Sequence, residues 1–295
     1  MYVIGISSGI KHGHHDGAAV LLRDGDLIAA AEEERFTLAK HARGELPRGA
    51  IGFCLKQAGI TIHDVDWICS PLRTYTNYSQ RLTEYFKYQF GHSPKIELYD
   101  HHLCHAASSY YGSGFSEALV ACFDFSGDSS SGMVAHAKGN DFKVLTRFGR
   151  HNSLGLYYGM LTQYLGYQMT NDEYKVMGLA PYGTPRFLDA LRELAELRPD
   201  GSLATDVRRL RWYAPPESGE SGSLCSLFDG PPRDPAAPHR DDHHSWGRGR
   251  TINQTWQTDM SVLLRESKEH TKKPEAPRIT PRGLWTIPRP DISGL

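Results

Sequence analysis

The chain has 295 residues, enough for one large domain or two smaller ones. Its formal net charge of −1 gives no bulk attraction to nucleic acid or anionic lipid. No apolar run approaches the roughly 18 residues of a membrane span, and residues 1–6 lack the basic region of a signal peptide. Scattered cysteines without a Cys-x-x-Cys pair indicate reduced thiols. We therefore expect a cytoplasmic protein with neither nucleic-acid nor membrane partners.

The first part of the chain predicts the element order β-β-β-α-β-α-β-α. Asp24-Gly25 is a strong signal for a two-residue hairpin between the second and third strands. An apolar stripe at helical spacing follows Pro47 and ends at Gly59. The predicted strands span residues 2–7, 17–23, 27–31, 65–69 and 96–99, and the helices span residues 47–58 and 78–89.

The pattern then restarts. Three more strands are predicted over residues 118–125, 132–137 and 142–148, with a turn at 139–141, followed by helices over 153–166 and 185–197. Two polar, glycine-containing loops, residues 8–17 and 124–132, fall between the first and second strands of each half. Such loops can bring backbone N–H groups to a phosphate. A duplicated fold closing around a phosphorylated ligand is one interpretation; two meanders with ordinary polar loops is the other.

Two charged segments also allow two interpretations. The run Glu32-Glu33-Glu34-Arg35 is by default a solvated face. Lys175 lies among apolar residues, where it reaches a phosphate or carboxylate as a point charge or pairs on the surface with Asp172 or Glu173.

His101 and His105 are four residues apart at the start of a helix-forming stretch. That spacing puts both imidazoles on one helix face, where they can share a cation. Imidazole suits borderline ions such as Fe²⁺ or Zn²⁺, and a carboxylate from elsewhere would have to complete the shell. The alternative is a helix start with Asp100 as N-cap and the imidazoles solvated or hydrogen-bonded.

Several of these stretches together resemble the N-terminal part of the NodU/CmcH carbamoyltransferase family. The resemblance covers about residues 1–243 in the right order and is carried by residues 15–19, 29–36, 40–41, 101–108, 124–128 and 173–183, and more weakly by 227–233. It implies an α/β, duplicated actin-like fold of the ribonuclease H type (the ASKHA class) with an incomplete second half. The expected divisions are residues 1–117, residues 118–243 and an unmatched, disordered tail over 244–295.

The resemblance also implies a chemistry. ATP and carbamoyl phosphate would form a carbamoyl-adenylate in a separate YrdC-like domain, and a hydroxyl of a small-molecule acceptor would then attack the carbamoyl carbon. The matching positions give His15 and Lys40 as catalytic residues, His15 as general base or as the group that polarises the carbamoyl. The metal ligands would be His101 and His105, with Fe²⁺ preferred over Zn²⁺. The nucleotide or carbamoyl-adenylate would contact Asp16, Gly127, Asp128 and Lys175.

Three departures from the family pattern stand out. Phe125 occupies a position where the family usually has glycine, and the loop over residues 8–14 is slightly longer than usual. The match stops near Asp242, before the family's remaining second half and YrdC-like domain. The leading hypothesis is therefore a truncated O-carbamoyltransferase. The alternatives are a non-catalytic nucleotide- or metal-binding remnant, and an actin-like phosphotransferase, which has no need of the His-x-x-x-His motif.

Overall fold

The computed structural model describes residues 1–7, 16–182, 187–198, 203–205 and 224. His15 and the predicted tail over 244–295 lie outside these residues. The described part forms two compact units: Met1–Val120 with Ala137–Phe142, and Ala121–His136 with the described residues from Lys143 onward. Among the described helices, none combines the length and apolar character needed to cross a bilayer.

The first unit contains a five-stranded sheet in the order β3-β2-β1-β4-β5. β1 pairs antiparallel with β2 and parallel with β4, while β3 extends the antiparallel side and β5 the parallel side. This is a ribonuclease H-type arrangement. The strands are β1 (Tyr2–Ser7), β2 (Ala18–Arg23), β3 (Asp26–Glu32), β4 (Trp67–Ser70) and β5 (Lys95–Leu98).

The predicted hairpin between β2 and β3 is confirmed. Asp24 and Gly25 have φ values of 53° and 91°, the pair of positive values that a type I′ turn requires. The twist of this turn matches that of the strands it joins, and its positive φ values favour Asp-Gly. The dipeptide therefore predicts the turn from the sequence.

Helices connect the parallel strands and supply the rest of the core. The helices of this unit are α1 (Glu34–Thr37), α2 (Arg48–Ala58), α3 (Tyr78–Phe90) and α4 (His101–Ser113). Ile4 and Ile68 from the sheet form one fully buried cluster with Ile51 of α2 and Phe86 of α3. α2 ends at Gly59, whose φ of 67° gives the left-handed cap predicted from the sequence.

The second β-β-β-α series begins with a sheet in the order β6-β7-β8, formed by β6 (Glu117–Gly127), β7 (Ser130–Lys138) and β8 (Asp141–Gly149). The repeat confirms the predicted α/β class. The predicted loop over 124–132 is wrong in extent, because β6 and β7 run up to a two-residue turn at Asp128 and Ser129. Their φ values of 47° and 71° form a type I′ turn without glycine, so the usual sequence signal was missing.

The remaining described elements are α5 (Leu154–Tyr164), α6 (Glu173–Leu179), α7 (Leu188–Arg192), β9 (Ala195–Leu197) and β10 (Leu203–Thr205). The helix predicted over 185–197 is therefore wrong in its second half. Residues 195–197 pair antiparallel with residues 203–205, so pairing with another segment overrides the helical periodicity.

α5 begins in close contact with β6. The Ser153 hydroxyl donates a hydrogen bond to the Phe125 carbonyl oxygen (2.7 Å) and accepts one from the Leu156 N–H (2.9 Å). A Cβ on Gly155 would lie 2.5 Å from the carbonyl oxygen of Asp124. Only glycine lets the helix approach the strand backbone this closely.

We expect Gly155→Ala to lower the free energy of unfolding by about 1–3 kcal/mol, because the added methyl group overpacks rigid backbone. Urea unfolding of the purified chain measures it. Gly52→Ala is the control: among the described residues nothing lies within 4 Å of that Cβ, and helix propensity predicts a gain of about 0.5–1 kcal/mol. Equal stability of Gly155→Ala and the wild type would contradict the packing.

Candidate active site at the carboxyl edge of the first sheet

The parallel pairing of β1, β4 and β5 places their carboxyl ends at one sheet edge. Asp16 lies at this edge, where the Ser7 hydroxyl at the end of β1 donates to its carbonyl oxygen (2.8 Å). α4 starts at the same edge, directly after β5. Two groups of predicted site residues, about 85 positions apart in the chain, are thus collected at one end of the sheet, where ligands of α/β sheets usually bind.

His101 and His105 lie on one face of α4, as predicted, with their Nε2 atoms 3.0 Å apart. Asp100 caps the helix by accepting a hydrogen bond from the Leu103 N–H (2.9 Å), so the expected N-cap is also present. Without a cation, one Nε2–H donates to the other nitrogen. Two bonds of about 2.0–2.1 Å to a shared ion, roughly 90–110° apart, put the nitrogens about 2.8–3.4 Å from each other. The pair therefore fits Fe²⁺ or Zn²⁺ as two of its ligands.

The second feature of this edge is the glutamate run after β3, and it is not simply a solvated face. Glu32 is solvated, paired with Arg35 (3.0 Å). Glu33 is 4% exposed, and its carboxylate accepts hydrogen bonds from the N–H groups of Gly49 (2.9 Å) and Ala50 (2.8 Å). These N–H groups belong to the first turn of α2, so Glu33 supplies the cap that Pro47 lacks.

Glu34 organises the residues that follow α1. Its carboxylate accepts from the backbone N–H of His41 (3.0 Å) and from Lys40 Nζ (3.2 Å). The His41 N–H first, and the Lys40 ammonium second, hold the pKa of Glu34 below its ordinary value. Lys40, predicted to be catalytic, has a side chain that is 74% exposed. Its ion pair with Glu34 keeps the ammonium group at this edge of the sheet.

His41 and Asp16 contact each other twice. The Asp16 N–H donates to the His41 carbonyl oxygen (2.7 Å), and His41 Nδ1 lies 2.8 Å from Asp16 Oδ1. Both residues have left-handed backbones, with φ values of 57° for Asp16 and 67° for His41. Because Glu34 accepts hydrogen bonds from both Lys40 and the His41 N–H, Asp16, His41 and Lys40 form one connected group.

The predicted nucleotide-binding residues of the second unit lie on two elements. Gly127 ends β6 and Asp128 opens the turn to β7. Lys175, on α6, forms an ion pair with Asp172 (2.8 Å), one of the two surface partners considered for it. This contact raises the pKa of Lys175 and lowers that of Asp172.

Sequence reasoning missed three residues of this site, which are Glu33, Glu34 and His41. His41 belongs to a stretch that resembles the family, but it received no role. Polar residues just after a strand at the edge of a sheet are a usable signal, yet contacts such as His41 to Asp16 span 25 positions and depend on the folded chain.

The fold and the site define an α/β protein with a ribonuclease H-type half and a histidine-rich site at its carboxyl edge. The family described as Carbamoyltransferase N-terminus matches residues 7–89 and 73–220, and the chain belongs to this family. The resemblance seen in the sequence is therefore confirmed.

Two curated relatives and one solved structure show the range of similarity. Nodulation protein NolNO of Sinorhizobium fredii is 38% identical over 244 residues, which are 71% of this chain and 36% of NolNO. Uncharacterized protein sll1178 of Synechocystis is 32% identical over 78% of this chain and 43% of its own length. The chain thus spans well under half of either relative. The Aquifex aeolicus member of the Ppx/GppA family aligns at 13% identity and a TM-score of 0.33, covering 92% of this chain and 99% of that one.

Removing the Glu33 carboxylate should destabilise the first unit, because it leaves N–H groups of Gly49 and Ala50 without their cap. We expect Glu33→Ala to lower the free energy of unfolding by about 1–3 kcal/mol in a urea titration. The neighbouring Glu32→Ala removes only an exposed ion pair and should change it by less than about 0.5 kcal/mol. Equal effects of the two variants would show that Glu33 is not a cap.

The metal prediction has a matched control within the same unit. The His101 and His105 rings have centroids 4.6 Å apart, and so do the stacked rings of His63 and His92, away from the carboxyl edge. We expect Fe²⁺ or Zn²⁺ to bind the wild type and the His63→Ala/His92→Ala variant equally. His101→Ala/His105→Ala should lose the ion by elemental analysis and titration. Equal metal content in all three proteins would contradict the site.

Proposed function

We propose that this chain provides the acceptor side of an O-carbamoyl transfer, in which a carbamoyl group passes to a hydroxyl of a small molecule. The observation that carries the proposal is the pair of imidazole nitrogens, 3.0 Å apart, at the sheet edge that also holds Asp16. Membership of the carbamoyltransferase family supports it. An actin-like phosphotransferase has no evident use for this histidine pair.

The described residues suit a site for a polarised carbonyl and a phosphate. Lys40 has a flexible stem and an exposed ammonium group, so it can turn from Glu34 towards a carbamoyl or phosphate oxygen. Fe²⁺ or Zn²⁺ held by His101 and His105 would supply a Lewis-acidic positive charge and a template for the donor. His15 remains the predicted residue that polarises the carbamoyl or accepts the acceptor's proton.

The donor in this proposal is a carbamoyl-adenylate made from carbamoyl phosphate and ATP. Its synthesis is assigned to a YrdC-like domain supplied as a separate domain or chain. Asp16, Gly127, Asp128 and Lys175 are the proposed contacts for the nucleotide or for the carbamoyl-adenylate. Asp128 lies at a tight turn with positive φ, a conformation in which backbone N–H groups can face an anion.

The test combines this chain with ¹⁴C-labelled carbamoyl phosphate, ATP, Mg²⁺ and a separately purified YrdC-like domain that makes carbamoyl-adenylate, offering glycerol and a panel of sugars as acceptors. We expect labelled carbamate ester only when both proteins are present. His15→Ala should lower transfer about 10²–10⁴-fold, the usual effect of losing an acid–base group, whereas His63→Ala should leave it unchanged.

Three outcomes contradict the proposal in different ways. Pyrophosphate release by the chain alone would put the adenylation site in this chain. Nucleotide or metal binding without transfer would favour the non-catalytic remnant. Transfer of the ATP γ-phosphate to an acceptor, without any need for carbamoyl phosphate, would favour the phosphotransferase.

A further inference from the structure

We infer that His41, oriented by Asp16, is the general base that takes the proton from the acceptor hydroxyl. The inference rests on the proposed carbamoyl transfer and assigns one step of it. It gives His41 a role that sequence comparison left to His15, and it changes Asp16 from a ligand contact into a positioning residue. His15 then keeps its second predicted role, polarisation of the carbamoyl group.

The first observation is backbone strain concentrated in one short segment. Leu38, His41 and Ala42 have φ values of 55°, 67° and 38°. Leucine and alanine rarely adopt such values, and Leu38 is 90% exposed, so no burial of its side chain offsets the cost. Strained conformations of this kind persist where surrounding contacts impose them, and they cluster at functional sites.

The second observation is that hydrogen bonds fix His41 from three sides. Its N–H donates to Glu34 Oε2 (3.0 Å), and its carbonyl oxygen accepts from the Asp16 N–H (2.7 Å). Its ring meets the Asp16 carboxylate through Nδ1 (2.8 Å). The next residue, Ala42, is 1% exposed and anchors the segment in the protein. Two of these bonds hold the backbone of His41, and the third orients its ring towards Asp16.

The third observation is the tautomer that this geometry selects. A carboxylate oxygen accepts hydrogen bonds, so Nδ1 carries the proton and the lone pair is on Nε2. The same carboxylate stabilises the imidazolium that forms when Nε2 takes a proton. The His41 side chain is 17% exposed, so it is largely shielded from water while still reaching the protein surface.

The proposed step balances as follows. The acceptor oxygen attacks the carbamoyl carbon and forms a new C–O bond as His41 Nε2 removes the hydroxyl proton. The bond between the carbamoyl carbon and the phosphate oxygen of the adenylate breaks, and adenosine monophosphate leaves with the electron pair. The carbonyl is retained in the carbamate ester. His41 then releases its proton to solvent.

The first arm of the test needs no activity. Long-range ¹H–¹⁵N correlation spectra of the chain report which ring nitrogen of His41 is protonated, with His41→Asn identifying the signal. We expect the Nδ1–H tautomer in the wild type and a mixture in Asp16→Ala. A dominant Nε2–H tautomer in the wild type would overturn the inference, because that ring has no lone pair on Nε2.

The second arm uses the two-protein transfer assay. His41→Asn and His41→Gly both suit a left-handed backbone, so they should fold, which thermal unfolding checks. We expect each to lower carbamate ester formation about 10²–10⁴-fold without changing pyrophosphate release by the added YrdC-like domain. Added imidazole should restore a measurable part of the activity of His41→Gly, an effect that a purely structural role would not produce. His63→Asn should behave as the wild type.

The outcomes separate the two proposals. Transfer by His41→Asn within threefold of the wild type, or a His41→Gly variant that imidazole does not rescue, overturns the role of His41 and leaves carbamoyl transfer standing. Absence of transfer by the wild type itself overturns the proposed function, and with it the step assigned to His41, even where the tautomer is as expected.

Discussion

The pairing of β1 with an antiparallel neighbour on one side and a parallel neighbour on the other decides where the site lies. A parallel neighbour requires a crossover, and helices α2 and α3 provide one for β4 and one for β5. All three parallel strands therefore end at the same edge. The histidines that follow β5 lie at that edge with Asp16, whereas His92, which precedes β5, does not.

The segment after β3 connects this sheet to the site. Its three consecutive glutamates have three different environments. Glu32 remains in solvent, while Glu33 turns inward and satisfies the first N–H groups of α2. Glu34 receives Lys40 and the N–H of His41. The buried cap fixes where α2 begins, and the helix forms the core with β1. The strained residues that carry His41 are thus connected through Glu34 and Glu33 to the start of a helix that packs in the core of the unit.

The fold was readable wherever local chemistry decides the structure. Asp24-Gly25 and Gly59 occupy positions where positive φ is needed. Apolar periodicity located α2 and α3, and the helix-forming residues after His101 located α4. The sequence was misleading where a turn lacks its usual residues and where a distant segment decides the structure. The turn at Asp128 and Ser129 lacks glycine, and residues 195–197 form a strand because residues 203–205 pair with them.

For the site, the spacing of His101 and His105 predicted their shared helix face, since i and i+4 positions are fixed by helix geometry. The contact between Asp16 and His41 has no such local rule, because it depends on how the chain returns after β3.

The two predicted anion-binding lysines share an electrostatic arrangement that bears on the proposed function. Lys40 and Lys175 each have a carboxylate partner, so in the proposed function a phosphate would have to compete with Glu34 or Asp172. The Lys40 and Lys175 side chains are 74% and 44% exposed, so a ligand can reach both ammonium groups from solvent. Each carboxylate keeps a hydrogen-bond donor when its lysine moves away. Glu34 keeps the N–H of His41, and Asp172 keeps the N–H of Gln168. In the proposed function, each lysine can therefore turn to a ligand while its carboxylate keeps a backbone hydrogen bond.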